Sequence, residues 1–234
     1  MYAYQALLLG LALGLGALAY EHGFDNPVAV AGLAVTAALA ERGRIRIGEI
    51  TEASISVLPT VFAAAVLGPF AAMIVASASF VGDFPLFPSS GSRREVDRRA
   101  APYLKWGIYT CIRAVYGGAA GFAALAATTA IRAEVPHLIA ATIVAAVVAE
   151  PLDVAFAALT LWLRGGMVRA FLRTFSPIIF VAVSFYAPIV ALLAVAYVKV
   201  SPWTLPLFFV PGLAAQRLFG LYQGQRRLAD DLGE

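Results

Sequence analysis

Cysteine, histidine and charge are all scarce in this sequence. The 234 residues include one cysteine, Cys111, and two histidines, His22 and His137, which lie far apart. A single cysteine excludes an internal disulfide and a cysteine-rich metal site, and two distant histidines form no ligand cluster. The sequence therefore predicts no metal site and no cofactor.

Charged residues make up only 13% of the chain, whereas hydrophobic residues make up 61%. Globular domains average about a quarter charged residues, so this composition excludes an ordinary soluble domain. The net charge of +3 is small. In a membrane protein it indicates arginine-rich cytoplasmic loops rather than nucleic-acid binding.

The common catalytic motifs are missing as well. The chain has no glycine-rich phosphate loop, no serine or cysteine nucleophile with a partner histidine, and no two-histidine metal motif. We therefore expect no enzyme activity.

Long apolar blocks are what the chain does have, and they are the signature of membrane-spanning helices. They predict an all-α fold, a polytopic transmembrane helical bundle of about seven to eight membrane segments. The first block lacks a positively charged start and is longer than a signal-peptide core, so we expect it to be retained. The predicted helices cover Tyr2–Tyr20, Pro27–Ala40, Tyr103–Ile131, Pro136–Leu163, Pro177–Val200 and a last helix from Pro202 onward.

One further apolar stretch, Ala53 to Val81, is interrupted by Gly68 and Pro69. Glycine weakens a helix and proline removes a backbone donor, so the stretch is either one kinked span or two short helices. Each arm would measure roughly 21 Å, which is short for a bilayer core of about 30 Å. We expect a broken hairpin at Gly68-Pro69 that either crosses twice or re-enters from one side.

Arginine-rich connectors set the expected orientation, because positively charged loops stay on the cytoplasmic side. All the basic segments lie on one side only if the stretch broken at Gly68-Pro69 enters the membrane and returns. The sequence therefore predicts a multi-pass protein of the cell membrane with both termini in the cytoplasm. The basic segments carry Arg42, Arg44 and Arg46; Arg93, Arg94, Arg98 and Arg99; Arg164, Arg169 and Arg173; and Arg226 and Arg227.

Three ionisable residues, Arg113, Glu150 and Asp153, fall inside predicted helices. Such residues are costly in a bilayer and often functional. Arg113 and Asp153 lie at similar depth, roughly 15 Å from the cytoplasmic ends of neighbouring helices, and Glu150 shares a helix face with Asp153. We expect Arg113 to pair with Asp153, Glu150 or both, with Pro151 adding a kink. The group is either an ion pair that fixes helix register or a polar ligand or proton site.

Two small-residue patterns, Gly10-x-x-x-Gly14 and Gly117-x-x-x-Gly121, would let helices approach closely. In a chain so rich in alanine and glycine, we expect internal packing rather than dimerisation to explain them.

The last helix turns polar from Gln216 onward while leucines continue along it at near-helical spacing. We expect residues 1–222 to form the transmembrane domain and residues 223–234 to form a cytoplasmic tail that continues the last helix. A leucine stripe on a polar helix needs a partner, which a second copy of the chain in a homodimer would supply. The alternative is a tail whose arginines anchor at anionic lipid. The stripe consists of Leu218, Leu221, Leu228 and Leu232.

The placement of glycine, proline and alanine carries a family resemblance in two stretches. The first comprises Ser54–Pro59, Leu67–Ala72, Tyr103–Tyr109 and Gly117–Gly121, and the second comprises Leu205–Pro211 and Leu221–Leu228. Together they resemble the N-terminal multi-helix membrane sensor regions of bacterial cyclic-di-GMP signalling proteins. In that family a phosphodiesterase domain of HD-GYP type or a diguanylate cyclase domain of GGDEF type follows. No HD, HD-GYP or GGDEF motif is present here, so the resemblance implies a sensor without the catalytic domain and transfers no ligand residues.

The sequence therefore predicts a membrane-embedded sensory or input module for signal transduction. It would pass a signal through its C-terminal helix to a cytoplasmic signalling domain or protein. The alternative is a substrate-binding or translocating subunit of a small-molecule transporter, since the broken apolar helix pair also resembles the substrate-binding subunits of vitamin uptake systems. A plain structural membrane protein comes third. The expected partners are the lipid bilayer, that signalling partner and a small ligand of unknown identity, and not nucleic acid.

Overall fold

The computed structural model describes residues 1–23, 26–43, 45–47, 51–83 and 102–232. In that part the chain forms eight α-helices and one pair of short strands. The helices are α1 (Tyr2–Tyr20), α2 (Pro27–Arg42), α3 (Val57–Val66), α4 (Pro69–Ser79), α5 (Pro102–Thr128), α6 (Glu134–Leu163), α7 (Val168–Lys199) and α8 (Thr204–Leu232), and the strands are β1 (Ile45–Ile47) and β2 (Thr51–Ala53). The predicted helical class is therefore confirmed, with the addition of one short ribbon.

Five helical segments are long and apolar enough to cross a membrane: α1, most of α5, α6, Phe180–Lys199 of α7 and Thr204–Gln225 of α8. Large apolar side chains cover their outer surfaces, and in α1 the exposed fraction is 66% for Leu7 and 65% for Leu13. So extensive an apolar surface suits hydrocarbon rather than water. The chain is therefore a membrane-embedded helical protein. The predicted count of about seven to eight segments goes beyond these five, because α2, α3 and α4 have only 16, 10 and 11 residues.

The break predicted at Gly68-Pro69 separates α3 from α4. Gly68 has a φ of +90°, which glycine adopts readily and other residues do not. Proline suits the first position of α4, where its missing N–H has no helical partner to lose. Both short helices are buried, and Val61, Phe62 and Ala71 are fully inaccessible. The broken pair is thus part of the protein interior.

The centre of the molecule is α5, which packs against α1, α3, α4 and α6. Its closest approach is to α4, where a Cβ atom at Gly121 would lie 2.4 Å from the Cα of Pro69, and one at Gly117 would lie 2.7 Å from the carbonyl oxygen of Ala72. The Gly117-x-x-x-Gly121 pattern therefore serves internal packing, as expected. At Gly10 and Gly14 an added Cβ would meet no atom within 4 Å, so that pattern packs against nothing in the described part of the chain.

Two of the predicted helix boundaries, the end of α2 at Ala40 and the start of α7 at Pro177, are wrong. The polar segment Glu41–Glu52 first continues α2 through Arg42 and then forms β1 and β2, which pair antiparallel with Ile45 opposite Ala53. The basic connector Arg164–Phe175 is helical from Val168 onward. Pro177 therefore lies inside α7 rather than at its start, because a proline removes a single backbone hydrogen bond and a long helix can continue through it.

Several of the predicted basic residues lie outside the described part of the chain. These are Arg93, Arg94, Arg98 and Arg99 in the loop after α4, together with Arg44 and the side chains of Arg46, Arg226 and Arg227. The side chains of Leu228 and Leu232 in the predicted stripe also fall outside it, although the backbone of α8 is helical through Leu232.

Candidate functional site

Arg113 lies in the middle of α5, and its side chain is only 15% exposed. Its Nη2 atom is 3.6 Å from Oε1 of Glu41 and 3.9 Å from Oδ2 of Asp153. Its Nη1 atom donates a hydrogen bond of 2.5 Å to the hydroxyl of Tyr116, one helical turn further along α5. The guanidinium therefore joins three helices, α2, α5 and α6, through one charge.

Glu41 is the partner that sequence reasoning missed. It belongs to the last turn of α2 and is 1% exposed. Its second oxygen, Oε2, accepts a hydrogen bond of 2.6 Å from the hydroxyl of Ser56, just before α3. A carboxylate with a cation on one oxygen and a hydroxyl on the other is well solvated by the protein, which is what burial of a charge requires.

A signal for Glu41 does exist in the sequence. The buried face of α2 includes Val30, Leu33, Ala37 and Glu41, at spacings of three, four and four residues. That spacing keeps one helix face toward the interior. Glu41 looks like the start of a polar connector only because Arg42 follows it.

Aromatic rings complete the surroundings of Arg113. The guanidinium carbon lies 5.4 Å from the ring centre of Phe80 and 5.2 Å from that of Tyr116. Phe80 in turn stacks on Tyr109, with ring centres 5.5 Å apart. Cation–π contacts of this kind gain strength where water is excluded. The rings and the two carboxylates together fix the orientation of the guanidinium.

The two predicted acids on α6 behave differently. Asp153 pairs with Arg113, as expected, although its side chain is 36% exposed. Glu150 makes no ion pair in the described part of the chain. Of the two predicted acids, only Asp153 therefore pairs with Arg113. Instead, Glu150 adjoins the hydroxyl of Tyr186 on α7. That hydroxyl is buried and, among the described residues, forms no well-aligned hydrogen bond.

Pro151 stands between these acids, where a kink was expected. α6 runs as one helix from Glu134 to Leu163 with Pro151 inside it, so Pro151 does not end the helix, and the expected kink stays a prediction. Glu150 and Asp153, which are three residues apart, therefore lie on the same face of α6.

Gln216 on α8 reaches the end of α2 beside Glu41. Its side-chain nitrogen donates hydrogen bonds of 2.8 Å to the carbonyl of Ala40 and 2.7 Å to that of Gly43. Carbonyls at a helix C-terminus have no partner within the helix, and in a bilayer they need one from elsewhere. Gln216 is 7% exposed, so α8 is attached to α2 by a buried polar contact.

The contacts around Arg113 hold charge inside the helical bundle. We call the group the Arg113 cluster, and it consists of Arg113, Glu41, Ser56, Tyr116 and Asp153. Within the residues that the structure describes, no three His, Cys, Asp or Glu side chains come together to hold a metal ion. The arrangement places two carboxylates beside one guanidinium, so neutralising either carboxylate would change the balance of charge in the cluster.

Comparison of the chain with protein-family models, with curated proteins and with solved structures finds no match.

Proposed function

We propose that this protein is a membrane-embedded sensory or input module that passes a signal through α8 to a cytoplasmic domain or partner. The observation that carries the proposal is the double hydrogen bond from Gln216 to Ala40 and Gly43. It attaches α8 to the end of α2, where Glu41 belongs to the Arg113 cluster.

The proposal needs two arrangements of the same contacts. Arg113 has two carboxylate partners, Glu41 on α2 and Asp153 on α6. A ligand or proton that neutralised one carboxylate would leave Arg113 with the other and change the position of the α2 end. A stimulus shifts such an equilibrium only by its difference in affinity for the two states. Helix displacements of about 1–2 Å are typical of such transitions.

α8 is suited to carry that change outward. It continues as helix to Leu232, beyond the apolar segment that ends at Gln225. It lies at the edge of the molecule, against α7, the end of α2 and β1. A helix with few neighbours can move without disturbing the core, and the leucine stripe on it would join two copies of the chain. The resemblance to cyclic-di-GMP sensor regions supports the same role.

A chimaeric protein tests the proposal. The full chain is fused through α8 to a diguanylate cyclase domain, and cyclic-di-GMP is measured in cells at matched protein levels. Glu41→Gln, Asp153→Asn and Gln216→Leu should each change the output by about fivefold or more, the lower end of usual coupling between sites. The matched control is Glu134→Gln, which removes an exposed ion pair with Lys199 at the opposite end of α6 and should leave the output unchanged.

Helical register offers an internal check in the same chimaera. Insertion of two residues between α8 and the cyclase domain should alter the output, because it turns the domain by about 200° to the opposite face. Insertion of seven residues should restore it, because seven residues return almost to the same face. An output that stays unchanged in the two cluster variants, in Gln216→Leu and in both insertion variants would contradict signalling through α8.

The second candidate is a substrate-binding or translocating subunit of a small-molecule transporter. It is favoured by the buried break between α3 and α4, since many transporters bind substrate at discontinuous helices near the middle of the membrane. Glu150, near the middle of α6, would then belong to the substrate path. Uptake of a small molecule into proteoliposomes is the test. Uptake that is lost in Glu150→Gln, in a protein whose chimaera does not respond, would favour the transporter.

A further inference from the structure

The turn between α6 and α7 is a rigid element of the surface. The N–H of Gly166 donates to the carbonyl of Leu161 at 3.0 Å, and the N–H of Gly165 donates to that of Trp162 at 2.9 Å. This pair of bonds, with Gly165 at a φ of +77°, is a Schellman motif that ends α6. The positive φ of Gly165 favours glycine there, and a Cβ atom at Gly166 would lie 2.3 Å from the side chain of Leu161, which would have to shift.

A surface groove of about 510 Å³ opens at this turn, and its lining includes Trp162, Arg169 and Arg173. The two arginines are one turn apart on α7 and therefore on the same helix face. Both are exposed, and neither pairs with a carboxylate in the described part of the chain. The first turn of α7 contains no acidic residue, and Met167 provides no side-chain cap there. The groove therefore has two positively charged side chains in its lining. The first turn of α7 contributes no acidic residue that would neutralise them.

The groove also lies where a bilayer surface would be. α6 is one of the helices of spanning length, and the groove is at its C-terminal end. Trp162, in the last turn, is 65% exposed. Exposed tryptophan is enriched at the level of the lipid headgroups, and arginine-rich connectors lie on the cytoplasmic side, which faces the anionic leaflet.

We propose that this groove binds the headgroup of an anionic phospholipid from the surrounding bilayer. Arg169 and Arg173 contact the phosphate, since paired guanidinium groups match its oxygens in geometry and charge. The indole of Trp162 lies against the headgroup boundary. The binding is independent of the proposed sensory role, because none of these residues belongs to the Arg113 cluster or to α8.

The experiment uses Trp162 as the reporter. The full chain is reconstituted in bilayers that contain equal fractions of phosphatidylglycerol and phosphatidylcholine, with bromine on the acyl chains of one lipid or the other. Brominated phosphatidylglycerol should quench tryptophan fluorescence more than brominated phosphatidylcholine, and Trp162→Phe should remove that difference. Each arginine should contribute about fivefold to the local lipid preference, equivalent to about 1 kcal/mol.

Variants locate the effect. Arg169→Gln with Arg173→Gln should abolish the preference, and Arg169→Lys with Arg173→Lys should keep much of it. Arg164→Gln is the matched control, since Arg164 is in the same connector but does not line the groove, and it should keep the preference. Equal quenching by the two lipids in the unaltered chain would overturn the proposal, whatever the folding of the variants. Loss of the preference on addition of inorganic phosphate would assign the groove to a free anion instead and would also overturn it.

Discussion

Arg113 has two acidic partners whose burial differs widely. Glu41 is 1% exposed and Asp153 is 36% exposed, at distances of 3.6 and 3.9 Å. An ion pair gains most where solvent is excluded, but a buried charge that loses its partner is then strongly unfavourable. The contact between Arg113 and Glu41 should therefore dominate the energetics of the cluster.

Double-mutant cycles of unfolding in detergent test this difference. Arg113→Gln alone should destabilise the protein by about 3–5 kcal/mol, because it removes a cation from contact with a carboxylate that is only 1% exposed. Adding Glu41→Gln should recover a large part of that loss, whereas adding Asp153→Asn should recover about 1 kcal/mol or less, as for an exposed pair. Equal coupling energies in the two cycles would show that burial does not set the strength of these contacts.

At this scale the sequence predicted part of the site. Arg113 and Asp153 were predicted because charges inside apolar helices at matching depth have few partners other than each other. Glu41 was missed because the end of a helix and the start of a polar connector look alike without knowledge of what packs there. The neighbour of Glu150, Tyr186, depends on how α7 is rotated against α6, and periodicity within either helix does not fix that rotation.

Among the helices, the contact between α4 and α5 depends on two glycines. Gly117 and Gly121 let α5 approach the backbone of α4 at Ala72 and Pro69. Backbones that approach this closely gain van der Waals contact, which drives helix association in lipid. α1 shows the opposite case, since Gly10 and Gly14 have open space beside them.

Matched alanine substitutions distinguish the two patterns. Gly121→Ala should destabilise the protein by about 1–3 kcal/mol, as overpacking usually does, because its Cβ would collide with the backbone of Pro69. Gly14→Ala should be neutral or stabilise by about 0.5–1 kcal/mol, since alanine suits a helix interior better than glycine. Melting temperatures in the same detergent measure both. A destabilisation of Gly14→Ala as large as that of Gly121→Ala would mean that α1 has a packing partner not seen in the single chain, such as a second copy.

Helix existence was easier to predict than helix ends. α1 begins and ends as the apolar run does, and α2 begins at the predicted Pro27, where the Asn26 side chain accepts a hydrogen bond from the N–H of Ala29. α7 begins earlier than expected because the Schellman motif at Gly165 sets the turn, and the basic residues after it are good helix formers. The ribbon of β1 and β2 was missed although the alternation of Ile45 and Ile47 around Arg46 is typical of a strand.

For the whole molecule, the basic connectors and the lengths of α3 and α4 bear on topology together. At 1.5 Å per residue, α3 and α4 measure about 15 and 17 Å, roughly half of a bilayer core. These lengths favour a hairpin that enters and returns, which would keep the basic segments on the cytoplasmic side.

Cysteine labelling in sealed cells tests this orientation, with Cys111→Ala as the background. A membrane-impermeant maleimide should label His22→Cys and Ser201→Cys, which lie in the short neutral connectors. It should label Ser90→Cys, in the basic loop outside the described residues, only after the cells are permeabilised. Labelling of Ser90→Cys in intact cells would place that loop outside and would contradict cytoplasmic termini.

The central claim is that the Arg113 cluster and α8 are coupled through Gln216, and a distance measurement tests it most directly. Spin labels at Arg164→Cys, at the end of α6, and Gln225→Cys, on α8, report the position of α8 by pulsed electron paramagnetic resonance in bilayers. Glu41→Gln and Gln216→Leu should both shift the distance distribution in the same direction, by about 1–2 Å or more, while Glu134→Gln should leave it unchanged. An identical distribution in Glu41→Gln and the parent chain would show that α8 does not respond to the cluster and would contradict the account.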